Sequence, residues 1–302
     1  MTYLTSFLQR HLLAKNYLAQ AEQHFQPLLK NIISQVTHKK KQPISSPVFV
    51  GINGCQGSGK STLADYLATT LNHLSKPEHK LSAIFFSLDD FYLSQIERQQ
   101  LAKNIHPLFK TRGVPGTHNI ELLAKTLAAL TKNQGVVSIP VFDKVTDNPK
   151  PKRQWQRVTL PVDVVIIEGW CWGASSQTEQ DLIAPINELE RNFDSNGEWR
   201  SYVNQQLKQY YQPLYNYMEL WVMLKAPSFA CVKQWRLEQE VKQVKNKLNA
   251  SNHQGMNATE IEDFIQYFQR LTEYSLSELT NVIDFVFELD VNRAINNTWL
   301  CR

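Results

Sequence analysis

From Tyr3 to about Val36, apolar residues recur at three- and four-residue steps: Leu4, Phe7, Leu8 and Leu12, then Leu28, Leu29, Ile32 and Ile33. That spacing predicts a helical segment with one buried stripe. The polar, proline-punctuated stretch His38 to Pro47 follows, and the pattern then changes. Val48-Phe-Val-Gly-Ile-Asn53 is a short β-branched run of the kind buried on both faces of a sheet. Similar runs at Ser82 to Leu88, Val162 to Ile167, Leu220 to Leu224 and Val282 to Leu289 are separated by segments of helical periodicity. The expected helices are Ser61 to Leu74, Asn119 to Lys132, Trp199 to Tyr211, Ser228 to Leu248 and Ala258 to Leu279, and Val136 to Phe142 reads as a shorter strand. Strands alternating with helices predict an α/β fold with a parallel sheet covered on both faces. The expected organisation is an N-terminal helical extension and linker, residues 1–45, and a main domain, residues 46–302.

At 302 residues and 42% hydrophobic content the chain is long enough for one large core. A formal net charge of +4 with 20% charged residues is too small and too evenly spread to predict a nucleic-acid groove. Cys55, Cys171, Cys231 and Cys301 lie far apart without metal-ligand spacing and read as reduced thiols. No run is long and apolar enough for a membrane span and no secretory leader pattern opens the chain, so a cytoplasmic enzyme is expected. Lys39, Lys40 and Lys41 are read as a solvated linker in preference to an anion patch or an address. Nothing in the sequence fixes an oligomeric state.

Chemistry enters at Gly54-Cys-Gln-Gly-Ser-Gly59-Lys60-Ser61, a G-x-x-x-x-G-K-[ST] loop placed after an apolar strand and before a helix. Its glycines let successive N–H groups turn inward on phosphate oxygens, and the helix that follows offers its positive end to the same anion. Gly54, Gln56, Gly57, Ser58, Gly59, Lys60, Ser61 and Thr62 are the expected nucleotide contacts. Lys60 is assigned to the β- and γ-phosphates of ATP and Ser61 to Mg2+. Cys55 is either a redox handle or a small residue at a variable position.

Two acidic strand ends accompany the loop. Ser87-Leu-Asp89-Asp90-Phe91-Tyr92 places a carboxylate pair where ligands bind in open parallel sheets. Asp89 is the candidate general base for an attacking hydroxyl, and the alternative makes the pair a helix cap. Val164-Val-Ile-Ile-Glu168-Gly169 ends in one acid, Glu168, suited to supporting magnesium across from Ser61. Glycine after that acid, instead of a second acid to activate water, leans toward transfer over hydrolysis. No Asn-Lys-x-Asp tetrapeptide is present, which disfavours guanine recognition.

With Arg112-Gly-Val-Pro-Gly-Thr-His118-Asn119, Pro140-Val-Phe-Asp143-Lys144, Trp235-Arg-Leu-Glu-Gln-Glu240 and Leu289-Asp-Val-Asn-Arg293, these motifs resemble a family of P-loop kinases. That family includes uridine kinase, phosphoribulokinase and bacterial pantothenate kinase, and the resemblance is closest to its D-glycerate 3-kinase-like branch. It runs from about Val48 to the C-terminus. It implies a P-loop NTPase fold of five parallel strands in the order 2-3-1-4-5, ATP and Mg2+ as partners in catalysis, Asp89 as base and Glu168 near the metal. Asp90, Tyr92, Arg112, Thr117, His118, Asp143 and Lys144 fall on the acceptor side, Arg236 on a lid, and Asn292 and Arg293 at the adenine.

Each assignment has a plainer counterpart. Arg112 neutralises a surface acid, Lys144 pairs with Asp143, His118 hydrogen-bonds within its loop, Arg236 pairs with Glu240 on one helix face, and Asn292-Arg293 forms a strand-end turn. Asn119 stands where the branch usually carries aspartate, and Val145 to Arg153 departs from its glycine-rich segment. A planar Arg112 fork and a Lys144 point charge favour a small anionic hydroxy acid such as D-glycerate. Pantothenate, a nucleoside or a sugar phosphate stands as the alternative acceptor. An ATP-binding regulatory module without transferase activity stands as the alternative of another class.

Overall fold

A computed structural model of the chain describes residues 2–42, 46–74, 81–247 and 256–300. In order they form α1 (Thr2–His11), α2 (Asn16–Lys39), β1 (Val48–Gly54), α3 (Lys60–Leu74), β2 (Ala83–Ser87), α4 (Gln95–Asn104) and α5 (Ile120–Leu130). Then come β3 (Val136–Ile139), β4 (Phe142–Asp143), β5 (Asn148–Pro149), β6 (Gln156–Thr159), β7 (Val164–Gly169), α6 (Glu188–Phe193) and α7 (Glu198–Gln206). The chain continues with β8 (Leu220–Lys225), α8 (Ala230–Lys247), α9 (Ala258–Glu278), β9 (Phe285–Leu289) and β10 (Ile295–Leu300).

The central sheet has six strands in the order β10-β9-β8-β1-β7-β2. All neighbouring pairs are parallel except β9 with β10, which is antiparallel. One strand more than the five expected is therefore present. β10 escaped notice because INNTWL carries polar residues on an edge position, where only one neighbour needs to be covered. β3 and β4 divide the run Val136 to Phe142, and both lie outside the central sheet.

Alternation along the strands builds two cores. Val48, Val50 and Ile52 of β1, with Val164 and Ile166 of β7, join one cluster, and Phe49, Val165 and Ile167 point into the other. The first is covered by α1, α2 and α3, through Phe7, Phe25, Leu28, Ile32, Leu63 and Leu67. The second holds Leu123 and Leu127 of α5, Trp199 of α7, and Phe268 and Leu271 of α9. Both faces of the sheet are thereby dry, and the polar strand ends at Gly54, Ser87 and Gly169 meet solvent-facing loops along one edge.

The N-terminal segment is two helices, with Leu12 at φ +53 in the break between α1 and α2. The linker reading of His38 to Pro47 also needs correction, since α2 runs on to Lys39 and residues 43–45 lie outside the described residues. That extra helical turn carries Lys39 and Lys40 under the starts of the strands. Lys39 pairs with Glu219, and Lys40 Nζ lies 2.7 Å from Asp163 Oδ1, so these two lysines tie α2 to the sheet instead of forming a solvated stretch. Cys55, Cys171 and Cys231 are free thiols, and Cys301 lies outside the described residues. Leu248, the expected end of one helix, also lies outside them.

Candidate active site

β1 delivers the phosphate loop. Gly57 and Gly59 adopt φ of +77 and +98, which a side chain resists. A Cβ on Gly57 would stand 2.7 Å from Trp235 Cβ, and one on Gly54 would stand 2.7 Å from Ser58 Oγ. The loop is thus sealed from behind by α8. Gln56 Oε1 and Ser58 Oγ are buried without a hydrogen-bond partner, and the Ser58 hydroxyl is a donor that a bound anion would complete. Lys60 Nζ donates to Cys55 O at 3.0 Å, and Ser61 Oγ donates to Glu168 Oε1 at 2.7 Å. A hydroxyl and a carboxylate are hard oxygen donors of the kind Mg2+ takes when phosphate and water complete its shell, so these residues fit that ion. Burial drives the Cys55 thiol up to about 12, which keeps it protonated and argues against a redox handle.

β2 delivers the acidic pair, and the structure separates its members. Asp90 closes a capping box on the turn Leu88–Phe91, accepting from Ser87 N at 3.2 Å and, across the site, from Phe142 N at 3.2 Å. Burial raises its carboxyl to about 6. It braces the loop that carries Asp143 and Lys144. Asp89 is held by side chains alone. Its Oδ1 accepts from the Tyr92 hydroxyl at 2.9 Å and its Oδ2 from Lys144 Nζ at 2.7 Å. Burial pushes the Asp89 carboxyl up, but the charge and hydrogen bond of Lys144, with smaller contributions from His118 and Tyr92, outweigh it and hold the group well below the usual carboxylate range.

Register joins the two halves. Ser87 lies beside Glu168 in the β2–β7 pairing, so Asp89 follows two residues beyond the neighbour of the acid that Ser61 touches. Lys144 feels the charges of Asp89, Glu168 and Arg112, and the Cys171 thiol, pushed up by burial, feels both Asp89 and Lys60. Lys60, Ser61, Glu168, Asp89 and Lys144 thus belong to one charge cluster at one set of strand ends.

The loop from Arg112 to Asn119 is held from three sides. Trp170 Nε1 donates to Gly113 O at 2.8 Å, and a Cβ on Gly113 would stand 2.4 Å from Phe268 Cε1 of α9. Arg112 pairs with Asp147 and lies 5.6 Å over the Phe142 ring, and the buried Arg98 reaches the same Asp147 with Nη2 at 2.5 Å. Asn119 caps α5, accepting from Leu122 N at 2.9 Å, which explains why asparagine serves there. His118 is buried, stacks on Tyr92 at 4.5 Å and meets the Tyr211 hydroxyl with Nδ1 at 2.7 Å, while its Nε2 has no partner. Burial lowers His118 to about 4, so the imidazole is neutral near pH 7.

Several expectations change. Thr117 donates to Val114 O at 2.7 Å and accepts from Gly113 N at 3.0 Å, so its hydroxyl braces its own loop. Asp143 accepts from Val145 N and Thr146 Oγ1, both at 3.0 Å, bracing its turn, and Lys144 pairs with Asp89 in place of Asp143. Arg236 lies 5.2 Å over the Phe264 ring of α9 with Nη1 on Gln239, and the side chain of Glu240 lies outside the described residues. Arg293 pairs with Glu238 and stacks 5.5 Å over Trp235, and Asn292 N donates to Asp290 Oδ1 in the β9–β10 turn. Tyr211 and Asp147 were not foreseen. Tyr211 sits in the π turn Leu207–Tyr211, which no sequence periodicity announces, and Asp147 occupies the segment that departs from the glycine-rich pattern.

A glycine-lined anion cradle, a lysine, a hydroxyl–acid pair and a second carboxylate at the end of a parallel sheet define a P-loop phosphotransferase. Residues 49–182 match the model of the Phosphoribulokinase / Uridine kinase family. Over 260 residues the chain is 34% identical to the uncharacterized kinase mug58 of Schizosaccharomyces pombe, covering 83% of this chain and 89% of that protein. It is 29% identical over 231 residues to the chloroplastic D-glycerate 3-kinase of Arabidopsis thaliana, 74% of this chain and 46% of that protein. Among solved structures, a D-glycerate 3-kinase from Cryptococcus neoformans superposes with a TM-score of 0.70 at 25% identity, covering 91% of this chain and 98% of that one. The chain belongs to the phosphoribulokinase and uridine kinase family of P-loop kinases.

Proposed function

We propose that this kinase transfers the γ-phosphoryl group of ATP to the hydroxyl of a small anionic hydroxy acid, D-glycerate first among them. The observation that carries the reading is the Asp89 carboxylate, held between Lys144 and Tyr92 in the charge cluster that contains Glu168 and Lys60. The acceptor oxygen forms the new bond to phosphorus as the bond to the β-phosphate oxygen breaks, and the hydroxyl proton passes to Asp89. Lys60 and the inward N–H groups of Gly57 to Ser61 hold the phosphates. Ser61 and Glu168 would hold Mg2+, which supplies charge neutralisation on the transferring group when bound.

Arg112 and Lys144 answer the acceptor's own anion. In the absence of acceptor, Lys144 pins Asp89 as a weak base. An acceptor carboxylate that draws Lys144 toward itself relaxes that hold and raises the basicity of Asp89, so the charge that binds also readies the base. The unpartnered Nε2 of neutral His118, beside Tyr92, serves the acceptor's remaining oxygen. Among the described residues no helix is long and apolar enough to cross a membrane.

The test is ADP release with ATP and Mg2+ against D-glycerate, pantothenate, uridine and ribulose 5-phosphate. Stimulation by glycerate above the others is the expected result. Stimulation by another acceptor alone replaces the substrate and keeps the kinase. Tight ATP binding with no acceptor-dependent ADP release, and no effect of Asp89→Asn, makes the chain a nucleotide-binding regulatory module.

A further inference from the structure

The hairpin of β4 and β5 turns through residues 144–147, and its last turn residue, Asp147, takes the left-handed backbone at φ +54. Aspartate and asparagine tolerate that conformation better than most side chains. From there one carboxylate meets two guanidiniums: Oδ2 accepts from Arg98 Nη2 at 2.5 Å and Oδ1 accepts from Arg112 Nη1. Arg98, on α4, is the fixed partner. Its side chain is 3% exposed, with Nε on Leu93 O at 3.2 Å, Nη1 on Lys110 O at 2.7 Å and Nη2 also on Asp147 O at 3.2 Å. A buried cation demands a paired anion. The Asp147 carboxylate is therefore held where Arg98 needs it, and it holds Arg112 in turn.

One carboxylate between two guanidiniums leaves one positive charge unmatched. Arg112, whose side chain is 27% exposed, is the partner that can offer it. Among the described residues Nε and Nη2 of Arg112 make no hydrogen bond, so the rest of the fork is left for a ligand. The charge of Arg112 acts on Tyr92 and Lys144, the two side chains that touch Asp89. An anion bound on the fork would thus lie on the same side of the site as the proposed base.

We propose that Asp147 is a positioning residue for the acceptor: anchored by Arg98, it presents the Arg112 fork, with one positive charge in excess, to a singly charged carboxylate. The proposal rests on the reading of Arg112 as an acceptor contact. Asp147 lies in the segment that departs from the glycine-rich pattern, so the device belongs to this chain's own sequence there.

Initial rates of ADP release by the full chain with ATP, Mg2+ and D-glycerate test it through a double-mutant cycle. Asp147→Asn suits the left-handed backbone and keeps an oxygen for Arg98, but loses the carboxylate that the two guanidiniums share. Its KM for D-glycerate is expected to rise about three- to tenfold, the cost of a fork no longer held in place, while kcat and KM for ATP stay. In a chain that already carries Arg112→Gln, the same change is expected to raise KM no further, because nothing is left for Asp147 to hold. A merely structural role would raise KM by the same factor in both backgrounds. Melting curves show which chains are folded. Arg98→Lys keeps a cation but cannot span Leu93 O, Lys110 O and Asp147 together, so it is expected to raise the same KM and decides the matter if Asp147→Asn does not fold. An equal factor in both backgrounds, an unchanged KM, or a lower KM that makes Asp147 a competitor for Arg112, overturns the proposal alone. An Arg112→Gln chain with a normal KM, or an unaltered chain that D-glycerate does not stimulate, overturns the acceptor reading and the proposal with it.

Discussion

Asp89→Asn separates chemistry from folding. Asparagine keeps the shape of the side chain and an oxygen that accepts from Tyr92, whose hydroxyl lies 2.9 Å away. Its amide replaces the oxygen that Lys144 Nζ reaches at 2.7 Å, so the ion pair is lost. The Lys144 side chain is 50% exposed and that of Asp89 27%, so solvent screens the pair, and its loss costs under about 1 kcal/mol. Because the folded Asp89 is held low, its contribution to stability is present above the unfolded value and is lost only as pH falls through the folded one, so near neutral pH the comparison is complete. The reaction loses far more. Without a positioned base, kcat falls by about 10² to 10⁴, or about 3 to 5 kcal/mol of barrier. The assay is acceptor-stimulated ADP release at saturating ATP, with a melting curve and an ATP titration alongside. Near-normal melting and ATP affinity with a collapsed kcat is the expected outcome. A variant that turns over within about threefold of the unaltered chain refutes Asp89 as the proton acceptor.

Arg112→Lys keeps a charge but gives up the planar fork and the stack on Phe142, so KM for an anionic acceptor should rise about tenfold while KM for ATP stays, read from initial rates. Gly57→Ala meets Trp235 Cβ at 2.7 Å with φ at +77, so it should lower stability by about 1 to 3 kcal/mol and weaken ATP binding, read by denaturant titration and calorimetry. Asp90 is held at about 6 by burial, above its unfolded value, so its share of stability is full in acid and lost as pH rises through about 6. Melting curves of the unaltered chain and of Asp90→Asn over that interval should differ in slope. Glu168→Gln removes the acid that Ser61 Oγ meets at 2.7 Å and should raise the Mg2+ concentration needed for half-maximal rate, read by magnesium titration.

The phosphate loop was legible because its spacing and its strand–helix setting are both local, and β1, β7 and β8 were legible as uninterrupted apolar runs. What escaped was set by tertiary contact. β10 is polar and at an edge. α4 needed its Ser94–Glu97 capping box to be weighed against a sparse apolar pattern. The split between Asp89 and Asp90 depends on Phe142 N, 52 residues beyond Asp90, and the exchange of Lys144 from Asp143 to Asp89 depends on a turn that Asp143 itself braces. Thr117 looked like a contact because sequence shows a hydroxyl and not the two backbone groups that occupy it.

Trp235 of α8 rests on Gly57 and Phe268 of α9 rests on Gly113, while Arg236 of α8 lies over Phe264 of α9. A rocking of this helix pair would therefore reshape the phosphate loop at Gly57 and the loop at Gly113, the proposed nucleotide and acceptor sides, in one stroke. Enlarging or trimming Phe268 to admit a bulkier acceptor would carry a matching change in nucleotide affinity, so an engineer seeking a new substrate would do better at Arg112 or Lys144, which are held by Asp147 and Asp89, outside this helix pair.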